Sequence, residues 1–133
     1  MWINRAAFGC AVYPNFSQIF IAGGKINANE ATKQCERYIV ANNQWKRLPE
    51  LREAKFSVSL CFFNNGSTLY CFGGLYQTAT NQLMPSQKIE RLSKGQNNWQ
   101  LLDIKMPVPC FDMGAFQIDG DEVMLFGGFN DGA

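Results

Sequence analysis

Histidine is missing altogether from these 133 residues. The commonest nitrogen ligand for zinc or copper is therefore absent, and so is the usual general base at neutral pH. Five cysteines occur, Cys10, Cys35, Cys61, Cys71 and Cys110, but no two form a C-x-x-C pair. Neither a zinc site nor any other cofactor site is expected. Charge of one sign is also lacking: twelve Lys and Arg against eleven Asp and Glu leave a net charge of +1. That balance gives no electrostatic footprint for nucleic acid or an anionic membrane. No uninterrupted apolar run reaches membrane-spanning length, and Met1-Trp2-Ile3-Asn4 is too short for a secretory apolar region. Asn15-Phe16-Ser17 and Asn65-Gly66-Ser67 match the glycosylation acceptor pattern, yet both fall where a hairpin needs turn residues. The cysteines read as core packing in a reducing, cytoplasmic setting, since Cys10, Cys61, Cys71 and Cys110 lie in or beside apolar segments. A Cys61–Cys71 disulfide across the Asn64 to Ser67 turn needs a three- or five-residue loop, and free thiols are the preferred reading.

What the chain does contain is repetition. Gly23-Gly24, Gly73-Gly74 and Gly127-Gly128 each close a short apolar run, at spacings of 73 − 23 = 50 and 127 − 73 = 54 residues. Two of the units share a second half: Cys35-Glu36-Arg37-Tyr38 with Trp45, and Ile89-Glu90-Arg91-Leu92 with Trp99, the Trp in each case seven residues after the fourth residue. Pro14 to Ser17, Asn64 to Ser67 and Asp119-Gly120-Asp121 supply turn chemistry between the first apolar segment and the diglycine segment. Segments such as Ser57 to Phe63 are more continuously apolar than a sheet covered on one side requires.

This period, with a diglycine ending a strand and an aromatic followed by Trp, resembles the kelch repeat of about 50 residues. The resemblance covers essentially the whole chain and implies an all-β fold: a segment of a kelch-type β-propeller with four-stranded antiparallel blades. Laid over one another, the units give blades over residues 5–51 and 52–107 and a half blade over 108–133. Gly23, Gly24, Gly73, Gly74, Gly127 and Gly128 are backbone devices, and Tyr38, Trp45 and Trp99 fill the space between blades. Arg5 and Arg52 occupy matching places before the inner strand, where the third unit has Pro109-Cys110-Phe111. The mixed charges from Lys46 to Lys55 read as a solvated connection. Met1 to Arg5 aligns with the Met106 to Cys110 junction, so further blades are expected outside this chain. Propellers close with about 4–8 blades, and a fragment alone is expected to be sticky or oligomeric.

No catalytic constellation emerges. Gly23-Gly24-Lys25 is no phosphate loop, because Ile19 stands where an earlier Gly is needed and Ile26 where Ser or Thr is needed. Asp119, Asp121 and Glu122 cluster on a turn but lack the ligand count of a calcium loop. The resemblance implies a non-enzymatic protein-binding scaffold or adaptor that holds a partner at one rim. Its competitors are an architectural block in a large assembly and a carbohydrate-active enzyme with its site mostly elsewhere. The rim residues are Lys25, Asn27, Asn29, Arg52, Tyr76, Gln77, Thr78, Phe129 and Asn130. Tyr76 and Phe129, just beyond a diglycine, are the foremost candidates because aromatics dominate binding hot spots. Their alternative role is to cover the core, and that of Arg52 is a blade-to-blade salt bridge.

Overall fold

The computed structural model describes residues 1–119 and 122–130. The first sheet is built from β1 (Gly9–Val12), β2 (Gln18–Ala22), β5 (Cys35–Ile39) and β6 (Gln44–Leu48), with β3 (Lys25–Asn27) and β4 (Glu30–Ala31) forming a separate small hairpin. The second repeats this plan with β7 (Ser59–Phe63), β8 (Thr68–Phe72), β11 (Lys88–Ser93) and β12 (Gln100–Lys105), and its small hairpin is β9 (Leu75–Gln77) with β10 (Leu83–Pro85). β13 (Gly114–Asp119) and β14 (Glu122–Phe126) pair as the start of a third. All pairings are antiparallel, in the expected four-stranded blade order. The sheets do not close on themselves among the described residues. A 3-10 turn, Val40–Asn42, joins β5 to β6 and ends on Asn43 in the left-handed region. Gly120 and Asp121 of the third expected turn lie outside the described residues.

Because side chains alternate along a strand, each sheet offers one face to each neighbour. Phe20, Ala22 and Cys35 of the first sheet meet Leu60, Phe62, Leu69, Cys71 and Leu92 of the second. Phe20 and Phe62 lie edge to face at 4.9 Å, worth about 0.5–1.5 kcal/mol beyond area burial. On its other face the second sheet packs Cys61, Phe72 and Ile89 against Met113, Ala115, Val123 and Leu125. The innermost strands continue the connection through the backbone: Ser57 N–H donates to Ala7 O at 2.7 Å, and Asp112 N–H to Ser57 O at 3.0 Å. Ala7, Ser57 and Asp112 hold φ of 52°, 53° and 54°, so the same left-handed step is repeated in each unit.

The diglycine is the second junction. Gly24 N–H donates to Lys55 O at 2.9 Å and Gly74 N–H to Cys110 O at 3.0 Å, each reaching the next sheet. A Cβ on Gly23 (φ +64°) would stand 2.3 Å from Lys55 O, and one on Gly73 (φ +59°) 2.2 Å from Cys110 O. Only glycine combines that φ with that approach.

Several expectations need correction. Cys10 is exposed: in alternation with Gly9 and Ala11 it points to the face of β1 away from the second sheet. The β7–β8 turn is a four-residue loop, pairing Leu60 with Cys71 and Cys61 with Tyr70. Cys61 and Cys71 thus belong to opposite faces, and all five thiols are free. Lys55 is fully buried rather than solvated. The bridges Ala6–Lys25, Phe56–Leu75 and Phe111–Phe129 set the true correspondence, which is Arg5 with Lys55 and Cys110, not Arg5 with Arg52.

Candidate functional site at the loop rim

The polar connections after each diglycine contain the two small hairpins. Each is closed the same way: Thr32 N–H returns to Gly24 O at 2.9 Å, and Ser86 N–H to Gly74 O at 2.8 Å. The buried hydroxyls of Thr32 and Ser86 then accept the backbone N–H two residues on, from Gln34 and Lys88, both at 3.1 Å. Below each hairpin sits a buried carboxylate. Glu36 receives the Arg5 guanidinium at 2.6 Å and Trp2 N–H at 2.6 Å. Glu90 meets Lys55 Nζ at 2.7 Å and accepts Arg52 N–H at 2.6 Å. Arg5 also donates to Gly23 O at 3.0 Å and Gln34 O at 2.6 Å, tying the diglycine to the foot of β5. Burial works against the charge on Lys55, but Cys71 and Glu90 outweigh it and hold its pKa above the ordinary value. These charges are consumed in holding the rim in place.

The candidate residues separate into three groups. Lys25 is half-buried, bonded through its backbone in both directions to Ala6, and its ammonium lies 4.7 Å above the Phe56 ring of the next sheet. Arg52 is exposed, and its side chain edges a shallow depression with Arg91, Asn98 and Gln100 on the outer strands, not at the hairpins. Its contact to Glu90 uses the backbone, and its guanidinium is in none of the ion pairs among the described residues; the exposed pairs, Lys33 with Glu50 at 3.2 Å and Lys88 with Glu53, each lie within one blade.

The hairpins hold the second group. Asn27 donates to Glu30 Oε2 at 3.0 Å and its Oδ1 accepts Asn29 N–H at 2.9 Å, which fixes the β3–β4 tip. In the longer hairpin Thr78 Oγ1 accepts Gln82 N–H at 3.1 Å and Gln77 Nε2 reaches Asn81 Oδ1 at 3.3 Å. Tyr76 pairs across the strands with Met84. Met84 and its neighbour Leu83 are exposed, at 43% and 50%, and the sequence reading passed over both. Their signal was an apolar pair inside an otherwise polar connection. The third group is Phe129 and Asn130. Phe129, 55% exposed, corresponds to Lys25 and Leu75 rather than to Tyr76, and its ring leans on Phe111 at 5.7 Å.

Among the described residues no cluster of three His, Cys, Asp or Glu could hold a metal. No helix among them is long and apolar enough to cross a membrane.

Residues 5–52, which include the whole first sheet and its buried ion pair, match the kelch motif. The first blade is a kelch motif. Over 122 residues it is 29% identical to a kelch domain-containing protein of Sulfurisphaera tokodaii, a match covering 92% of this chain and 16% of that protein. The chain thus spans about a sixth of the length of that relative.

Proposed function

We propose that these kelch blades form part of a non-enzymatic protein-binding module, an adaptor or scaffold whose partner docks on the diglycine-end rim. The observation that supports this reading is the β9–β10 hairpin. The second sheet has its four strands without it, yet it exposes Leu83 and Met84 next to Tyr76 and surrounds them with uncharged polar groups from Gln77 to Gln82. An aromatic with exposed apolar neighbours inside a polar margin is the composition of a binding hot spot. Asn27, Asn29, Phe129 and Asn130 extend the surface along the same rim.

The uncovered sheet faces support further blades as partners within one propeller. Phe116, Ile118, Met124 and Phe126 of the third sheet are 49–64% exposed, on the face opposite to the one packed on the second sheet. Blades of the same kind would cover them.

The test is quantitative affinity purification of the full-length protein from its own cells, comparing wild type, Tyr76→Ala with Met84→Asp, and Arg91→Gln on the outer strands. A partner lost only from the hairpin variant supports the rim. Equal recovery with all three proteins rejects it.

A further inference from the structure

At the end of the sheets opposite the rim, the first and second blades part to leave a cavity of about 380 Å³. Phe20 and Phe62 form its floor, with Tyr13 edge-on to Phe62 at 5.2 Å and Leu69 and Leu92 beside them. Turn residues Ser67, Lys94 and Gln96 surround its mouth. The volume lies in the range of about 300–1,000 Å³ that small-molecule sites occupy.

One wall is a cation with no counter-ion. Arg37 projects from β5 on the same face as Phe20, to which it is directly paired in register. It donates from Nη1 to Gln18 Oε1 at 3.2 Å, while its Nε is buried without any hydrogen-bond partner. Among the described residues no acidic side chain lines the cavity, and the charged neighbours on this face are of the same sign: Lys94 at the mouth and Lys46 opposite Arg37 on β6. A guanidinium donor withdrawn from water and left unpaired is costly, and a carboxylate placed against it would form a charge-assisted bond. Most of the remaining wall is hydrocarbon and aromatic surface, with Asn15, Gln18 and Ser93 as uncharged polar groups beside it.

We propose that this cleft binds a small apolar carboxylate. Its aryl or alkyl body lies on Phe20, Phe62 and Leu92, and its carboxylate meets Arg37 with support from Lys94. The site is independent of the loop rim, so a ligand here leaves the partner surface free.

The experiment is calorimetric titration of the full chain with 4-phenylbutyrate and, separately, with its neutral amide. The acid is expected to bind, and the amide at least tenfold more weakly. Arg37→Gln should reduce acid affinity at least tenfold without altering the amide, while Lys105→Gln, exposed at the rim end of β12, should change neither. Hydrogen exchange reads the same site without a variant: the acid should slow exchange in residues 62–69 and 92–96, and this holds even where Arg37→Gln proves poorly folded. Equal affinity for acid and amide overturns the proposal. So does an unchanged affinity in folded Arg37→Gln, or the absence of binding and protection at millimolar acid.

Discussion

Lys55 and Glu90 form an ion pair of 2.7 Å in which neither side chain has any exposed surface. The pair is the counterpart of Arg5 with Glu36, so each complete blade places one buried cation on a glutamate near the start of its third strand, the second residue of β5 and the third of β11. The third unit has Cys110 in the cation's place and Pro107, which has no N–H, where Arg52 caps Glu90. Removing one partner of a buried pair leaves an uncompensated charge, which costs about 3–5 kcal/mol. Lys55→Met should therefore lower stability by that amount in urea unfolding of the full chain. Adding Glu90→Gln removes the charge yet keeps an acceptor for Arg52 N–H, so the double variant should regain more than half of the loss. A double variant no more stable than the single one would show that the cation acts through packing alone.

The glycines make a graded series. Gly73→Ala places a Cβ 2.2 Å from the backbone of the next blade, whereas at Gly95 (φ +81°) nothing stands within 4 Å. Gly95→Ala should cost only the left-handed backbone penalty of about 1–2 kcal/mol. Gly73→Ala carries the same penalty plus a blade displacement, and should cost well over 3 kcal/mol or prevent folding. Gly127 (φ +69°) occupies the same place in the third unit but also meets nothing within 4 Å. Thermal unfolding of Gly127→Ala in the full-length protein thus reads the neighbour: a loss like that of Gly73→Ala means that another blade packs there, and a loss like that of Gly95→Ala means that none does.

The architecture was readable because its determinants are local. Positive φ beside a passing backbone admits only glycine at Gly23 and Gly73, Gly127 repeats the positive φ, and together they betray the period, as the turn residues betray the inner hairpins. What stayed hidden depends on distant partners. Arg52 and Lys55 look interchangeable in sequence, and only Glu90, 35 residues beyond Lys55, selects the lysine as the buried cation. The two rim hairpins rest on strands of two or three residues, too short to show alternation. Trp45 and Trp99 share a register but not an environment. Trp99 is 1% exposed and donates its indole N–H to Pro49 O of the first blade at 2.8 Å, while Trp45 lies on the face away from the second sheet against Tyr38 at 5.1 Å.

The buried thiols predict how stability responds to alkali. Burial, with the nearby Cys71 adding to it, pushes Cys35 from the ordinary 9.0 up to about 12. Burial likewise pushes Cys71 up to about 11, against the lowering effect of Lys55. Between pH 9 and 11 the unfolded chain releases both protons while the folded chain retains them, so unfolding is favoured increasingly as pH rises. The linked slope is about 1.4 kcal/mol per pH unit for each thiol. Lys55, whose folded pKa is raised above 10.5, acts in the same direction once its unfolded form begins to lose its proton. Below about pH 8 these groups contribute almost no slope, and the slope grows as the unfolded thiols ionise around 9.0. Urea midpoints measured under reducing conditions at pH 8, 9 and 10 should therefore fall slightly over the first interval and more steeply over the second. Replacing both Cys35 and Cys71 with Ala should flatten the fall. An equal fall in that double variant would assign the alkaline loss to other groups. Native alkylation at pH 8 gives the kinetic counterpart: exposed Cys10 reacts first, and Cys35 and Cys71 only as the chain unfolds.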